Sequence, residues 1–295
     1  MKDELIKALA VDQEIRAYVV RATDLVETAR EKQDTWHTAT AALGRTLIGT
    51  LLLATSGLKN EADRLTVRVQ GDGPARYLLG VANAKGEVKG FIENPHLALD
   101  LNEKGKLDVK GAVGENGTLT VVKDLGMKTP FNGQVELISG ELAEDFTYYL
   151  AASEQTPSAV GLSVLVNPDE SVQTAGGFLL QVLPHASETT ISKLEKALAQ
   201  VDDLSEWFAS GMSLEAILEK IVGKSFEVIE RQPVSWHCDC SKERFERALE
   251  SLPASDIEAM IAEDGQAEAV CHFCGKKYLF TQKELEHILE KINKK

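Results

Sequence analysis

"TWHTATAALGRTLIGTLLLATSG", Thr35 to Gly57, is the stretch on which the fold turns. It is apolar on most sides and rich in small residues. A helix of that kind has to be buried, and Gly57 supplies its stop. Its most apolar run, Thr46 to Ala54, is too short to span a bilayer. Strand-like runs lie on either side: "EIRAYVVRAT" (14–23) before it, then "RLTVRVQ" (64–70), "ARYLLGVAN" (75–83), "VKGFIE" (88–93), "LDVKGAV" (107–113) and "TLTVVKD" (118–124). Turn signals such as "GDG", "AKGE" and "ENG" separate them. Glu141 to Ser153 reads as a helix, and "GLSVLVN" (161–167) and "GGFLLQVLP" (176–184) read as closing strands. Residues 1–184 are therefore expected to form an α+β domain, with sheets packed around one buried helix.

From residue 185 to 230 the pattern turns helical. In "ISKLEKALAQVDDLSEWF" the apolar positions Ile191, Leu194, Leu198, Val201, Leu204, Trp207 and Phe208 recur in steps of three and four. In "SLEAILEKIVG", Ser213 is a candidate N-cap and Gly223 stands at the exit. Leu214, Ile217, Leu218, Ile221 and Val222 form one stripe. The bland reading is helices packed on their own core. The sharper one is a metastable linker whose stripes can come free. Paired acids such as Asp202–Asp203 read as a solvated face.

Residues 231–295 form the third segment. Ser241 is a candidate cap for a helix with Phe245, Ala248, Leu249 and Leu252 on one face, which Pro253 ends. Ser255 to Glu258 and Thr281 to Glu284 have capping-box patterns. "AEAVCHFCGKKYLF" between them reads as strand, turn, strand.

Length suggests about two domains, at roughly 150 residues each. The 295 residues are 43% hydrophobic and 26% charged. That is ample material for a core without crosslinks. The N-terminus has no signal-peptide pattern, so a cytoplasmic location is expected, where paired cysteines more often mean metal or redox chemistry than stable disulfides. The formal charge of −14, from 46 acids against 32 bases, disfavours nucleic acid as a partner. No membrane partner is expected, and no P-loop pattern marks a nucleotide site. Ser163 in "GLSVL" lacks the glycine that a nucleophile elbow needs. No enzyme is indicated.

All four cysteines lie in two tight pairs, Cys238/Cys240 and Cys271/Cys274. Zinc prefers four ligands in a tetrahedron, and thiolate is the softest ligand on offer. Two close pairs can present four sulfurs to one ion, and Gly275 gives the second pair a permissive backbone. One zinc per chain is therefore expected on Cys238, Cys240, Cys271 and Cys274. His237 and His272 are the obvious substitutes and are read as outer residues. Free thiols or two stable disulfides are the alternatives, and the expected compartment argues against both. Thiolates are what oxidants attack, and an oxidised sulfur no longer ligates.

At these cysteines the sequence resembles the redox-regulated heat-shock chaperone family of about thirty-three kilodaltons, whose signature is C-x-C, about thirty residues, then C-x-x-C. The likeness extends through "ALGR" (42–45), "VRVQGDGP" (67–74), "GFIENP" (90–95), "YLAASEQTPSA" (149–159) and "GGFLLQVLP". It implies an ATP-independent holdase, inactive while reduced and zinc-bound. It implies that oxidation forms the disulfides Cys238–Cys240 and Cys271–Cys274, releases zinc, and unfolds the switch domain and linker. Unfolding client proteins would then be bound, and the family dimerises on activation. Closing such short loops is kinetically favoured over bridging thirty residues, which agrees with that pairing. Candidate client-binding residues are Leu194, Leu198, Val201, Leu204, Leu214, Ile217, Leu218 and Ile221. The rival readings are a constitutive zinc-ribbon adaptor and a thiol oxidoreductase using Cys271 and Cys274.

Overall fold

The computed structural model describes residues 2–201 and 204–294, and the chain divides into two compact units, Met1–His237 and Cys238–Lys295. Asp202 and Asp203 lie outside the described residues.

The first unit opens with β1 (Glu4–Ala10), β2 (Ile15–Arg21), α1 (Thr23–Gln33) and α2 (His37–Gly57). There follow β3 (Arg64–Gln70), β4 (Tyr77–Asn83), β5 (Glu87–Ile92), α3 (Val109–Val113), β6 (Thr118–Asp124), β7 (Phe131–Glu136), α4 (Ala143–Ala152), β8 (Ser158–Val166) and β9 (Val172–Val182). Then come α5 (Glu188–Leu198), α6 (Leu204–Ala209), α7 (Leu214–Val222), β10 (Phe226–Pro233) and β11 (Ser235–Trp236). A five-stranded sheet runs β10-β1-β2-β9-β8, and a six-stranded sheet runs β11-β5-β4-β3-β6-β7.

Helix α2 ends at Gly57 as its sequence predicts. It is long and apolar enough to cross a membrane, yet 89% of its most apolar window is buried inside the protein. It packs on β3, β4 and β5 of one sheet and on β2, β8 and β9 of the other. Its Thr46 and Thr50 hydroxyls donate to the carbonyls of Ala42 and Thr46, four residues back, so neither hydroxyl is stranded. Leu43, Leu47, Ile48, Leu51 and Leu52 fill the core between the sheets.

The five-stranded sheet is apolar on both faces. Strand periodicity sends Leu5, Tyr18, Val20, Ala175 and Leu179 toward α2. The alternate residues Ile6, Ala8, Ala17, Val19, Phe178 and Leu180 form a second cluster. Burial on both sides is why "GGFLLQVLP" runs apolar with little alternation.

Several expectations differ from the structure. "LDVKGAV" holds the short helix α3 and no strand. The Asp108 side chain accepts from Gly111 N–H at 2.8 Å and so caps a turn. The helical pattern does not reach residue 230: residues 226–233 are β10, antiparallel to β1, where tertiary pairing overrides a mixed pattern. Together with β11, this places residues 231–237 in the first unit, whereas the sequence put the start of the third segment at 231. The 191–208 stripe is carried by two helices, α5 and α6.

The second unit contains α8 (Lys242–Leu249), α9 (Ala254–Glu263), the hairpin β12 (Gln266–Val270) and β13 (Lys277–Thr281), and α10 (Gln282–Asn293). Ser241 caps α8 by accepting from Arg244 N–H at 3.3 Å. Thr281 with Glu284 forms the expected capping box of α10. The box expected at Ser255 does not form. Helix α9 starts two residues earlier than that box requires, at Ala254, with Pro253 as its N-cap. Its core is small, with Ile257, Tyr278, Phe280, Leu285 and Ile288 buried.

A candidate metal centre and the apolar face under the linker

The first cysteine pair lies in an irregular segment and the second in a turn. Cys238 and Cys240 precede the capped start of α8. Cys271 and Cys274 sit between β12 and β13, where Cys271 N–H donates to Lys276 O at 2.9 Å and Gly275 N–H donates to Cys271 O at 2.8 Å. Gly275 has φ +69°. Glycine adopts that left-handed conformation without strain, as the sequence suggested.

The four sulfurs lie within 4.8 Å of one another. Cys238 and Cys271 sulfurs are 3.7 Å apart, and Cys240 and Cys274 sulfurs 3.4 Å. A tetrahedron of sulfurs at about 2.3 Å from an ion has edges of about 3.8 Å, so the donor set fits a four-thiolate metal site. His237 and His272 are both exposed. The distances place every sulfur near every other and single out no disulfide pairing.

Sequence reasoning missed Tyr278. Its hydroxyl donates to Cys240 O at 2.9 Å and lies 3.2 Å from Cys240 Sγ, while its ring packs on Phe245 at 5.1 Å between centroids. Burial opposes ionisation of Cys240, but hydrogen bonds from Tyr278 and the neighbouring sulfurs outweigh it and bring the thiol down to about 7. Burial pushes Cys238 and Cys274 up, with added effect from the sulfurs beside them. Cys240 is thus an easier thiol to ionise than Cys238 or Cys274, and a bound cation would favour the thiolate form of its ligands.

The candidate client-binding residues also come together, in the first unit. Leu194, Leu214, Ile217, Leu218 and Ile221 are buried against the outer face of the five-stranded sheet, with Leu198 and Leu204 partly buried beside them. Val201 is half-buried and does not join that cluster. The sheet residues they cover, Ile6, Ala8, Val19, Phe178 and Leu180, were not foreseen as functional. The continuous apolar run of β9 was the available signal.

A family model described as Hsp33 protein matches residues 3–281. The chain is 53% identical to a 33 kDa chaperonin of Bacillus velezensis over 292 residues, which covers 99% of this chain and 100% of that one. It is 52% identical to a 33 kDa chaperonin of Bacillus subtilis, with the same coverage. The crystal structure of the 33 kDa chaperonin from Thermotoga maritima superposes with a TM-score of 0.91 at 37% identity, covering 100% of both chains.

Proposed function

This chain belongs to the Hsp33 family of chaperones, and from that membership we propose that it is an ATP-independent holdase that oxidation switches on. The observation that carries the reading is the double-sided burial of the five-stranded sheet. Three amphipathic linker helices cover an apolar face that unfolding clients could otherwise occupy. The residues most directly in play are Leu194, Leu198, Val201, Leu204, Leu214, Ile217, Leu218 and Ile221 on the linker, and Ile6, Val19, Phe178 and Leu180 beneath it.

The metal is zinc, one per chain, with the thiolates of Cys238, Cys240, Cys271 and Cys274 as ligands. When bound, it supplies folding free energy to a unit whose own core is small, on the order of 10–16 kcal/mol for structural sites. On exposure to a peroxide, each pair of thiolates gives up two electrons to one peroxide molecule and closes a disulfide, Cys238–Cys240 and Cys271–Cys274, while each peroxide takes two protons from the solvent and leaves as two waters. Sulfurs bonded to each other no longer ligate, so residues 238–295 lose their support and unfold. Residues 185–230 act as the metastable linker. Once residues 238–295 no longer restrain it, its stripes leave the sheet and both surfaces become available to clients. Active chains pair as homodimers, and the protein works in the cytoplasm without nucleotide or nucleic acid. Its relatives are named chaperonins, not enzymes, and no catalytic residue is assigned.

Suppression of client aggregation by the same sample, reduced and then treated with peroxide, tests this, with metal content measured in parallel. Gain of suppression together with metal loss supports the switch. Equal suppression in both states would favour a constitutive adaptor.

A further inference from the structure

Strand β11 is the shortest element of the first unit and lies at one edge of the six-stranded sheet. It pairs in parallel with Glu87 and Val88 of β5. Its backbone is held by Ser235 N–H donating to Gly86 O at 3.0 Å and His237 N–H donating to Val88 O at 2.9 Å. The Trp236 side chain packs on the core and, with Asp3 and Leu25, borders a cavity of about 290 Å³. Two buried polar atoms there have no hydrogen-bond partner, Trp236 Nε1 and Asp3 Oδ1. A parallel pairing of two residues that leaves buried polar groups unsatisfied is a weak attachment. The neighbouring β10 is different, since residues 226–233 pair with β1 along its length. The strap can therefore lift while β10 stays in place.

The chain reaches the first cysteine directly after His237. On the reading proposed above, loss of the cysteine site unfolds residues 238–295 and removes the anchor at the C-terminal end of the strap. We propose that the edge of β5 left by β11 is a conditional docking slot for an extended client segment that carries an aromatic residue. The strap itself is the template for that occupant: an extended backbone making two hydrogen bonds to Gly86 O and Val88 O, and an indole ring packed on the core beside a cavity that Leu25 and Thr28 of α1 also line. Aromatic-bearing extended segments are what unfolding proteins expose. Each would add to β5 as β11 does, at a place apart from the linker-covered sheet face.

The probe is a labelled peptide with this chain's own strap sequence, "QPVSWH" (232–237), added to the full-length protein before and after peroxide. Because the strap competes only while it is seated, binding should be about tenfold or more tighter after oxidation. The same peptide with alanine for its tryptophan should lose that gain. Bound peptide should protect β5 and the start of α1 from hydrogen exchange. Equal binding before and after oxidation, equal binding of the alanine peptide, or protection on α7 in place of β5 would overturn the slot. Absent peptide binding with dimerisation would overturn it too, in favour of a second copy's strap. Client aggregation is followed in the same samples. Suppression without peptide binding removes the slot and leaves the holdase standing, whereas peptide binding without suppression supports the slot and removes the holdase.

Discussion

The ring of Phe208 lies directly over Gly176: a Cβ on that glycine would come within 2.4 Å of the ring's Cζ. Helix α6 thus sits on a patch of β9 where side chains have been dispensed with, and Phe208 is 3% exposed. The contact joins the linker to the sheet through one buried ring, so a single change at Phe208 tests the docking.

Phe208→Ala should undock α6 in the reduced protein. Truncating a buried phenylalanine costs about 3–5 kcal/mol, which is large against the stability of a short helix. Reduced Phe208→Ala should then suppress client aggregation partially without oxidant, while α2 and β2 stay protected in hydrogen exchange. An inactive reduced variant with a loosened α6 would mean that exposure of this face is insufficient.

A chain ending at His237 keeps β10 and β11, and it should hold clients with no oxidant because nothing restrains its linker. A chain ending at Glu230 cuts β10 short of Pro233 and should melt at a lower temperature. Thermal unfolding and aggregation assays on the two separate these effects. If the chain ending at His237 were as inactive as the reduced full-length protein, residues 238–295 would have to act on clients themselves.

Elemental analysis of the reduced protein should find one zinc per chain, and Cys274→Ser should abolish its retention. The change should unfold the second unit and leave the first intact by circular dichroism and hydrogen exchange. Full retention in Cys274→Ser would remove that sulfur from the ligand set.

Asp3 supplies a pH dependence within the first unit. Burial, with repulsion from Asp24, raises its carboxyl to about 6 although Leu25 N–H donates to it at 2.7 Å. An acid whose folded value is raised binds its proton more tightly in the folded state. Its contribution is therefore favourable below the ordinary value near 3.8 and is lost as pH rises through about 6. Relative to Asp3→Asn, the wild type should gain stability between pH 7 and pH 4, by roughly 3 kcal/mol as an upper figure. Denaturant unfolding at several pH values checks the sign. A constant difference would show that Asp3 is not protonated in that range.

Much of this was legible in the residues. The all-round apolar character of 35–57 announced a buried helix, and the cysteine spacing announced the cluster of four sulfurs, because both depend on local pattern. The linker's stripes were readable for the same reason. What covered them was not, since Phe178 and Leu180 show only that β9 is buried on both faces and do not name the neighbour. Strand β10 was hidden because "FEVIERQP" takes its conformation from β1, far away in sequence. Tyr278 carries no local mark of its hydrogen bond to Cys240, which exists only once β13 folds beside the first pair.

In the proposed switch, chemistry at four sulfurs releases a linker from a sheet. Hydrogen exchange of the full-length protein, reduced and after peroxide, tests it most directly, because protection reports local opening segment by segment. Protection should be lost across residues 238–294 and in α5, α6 and α7, with α2, β2 and β9 still protected. Protection retained in α5 to α7 after oxidation, in a sample that holds clients, would contradict it.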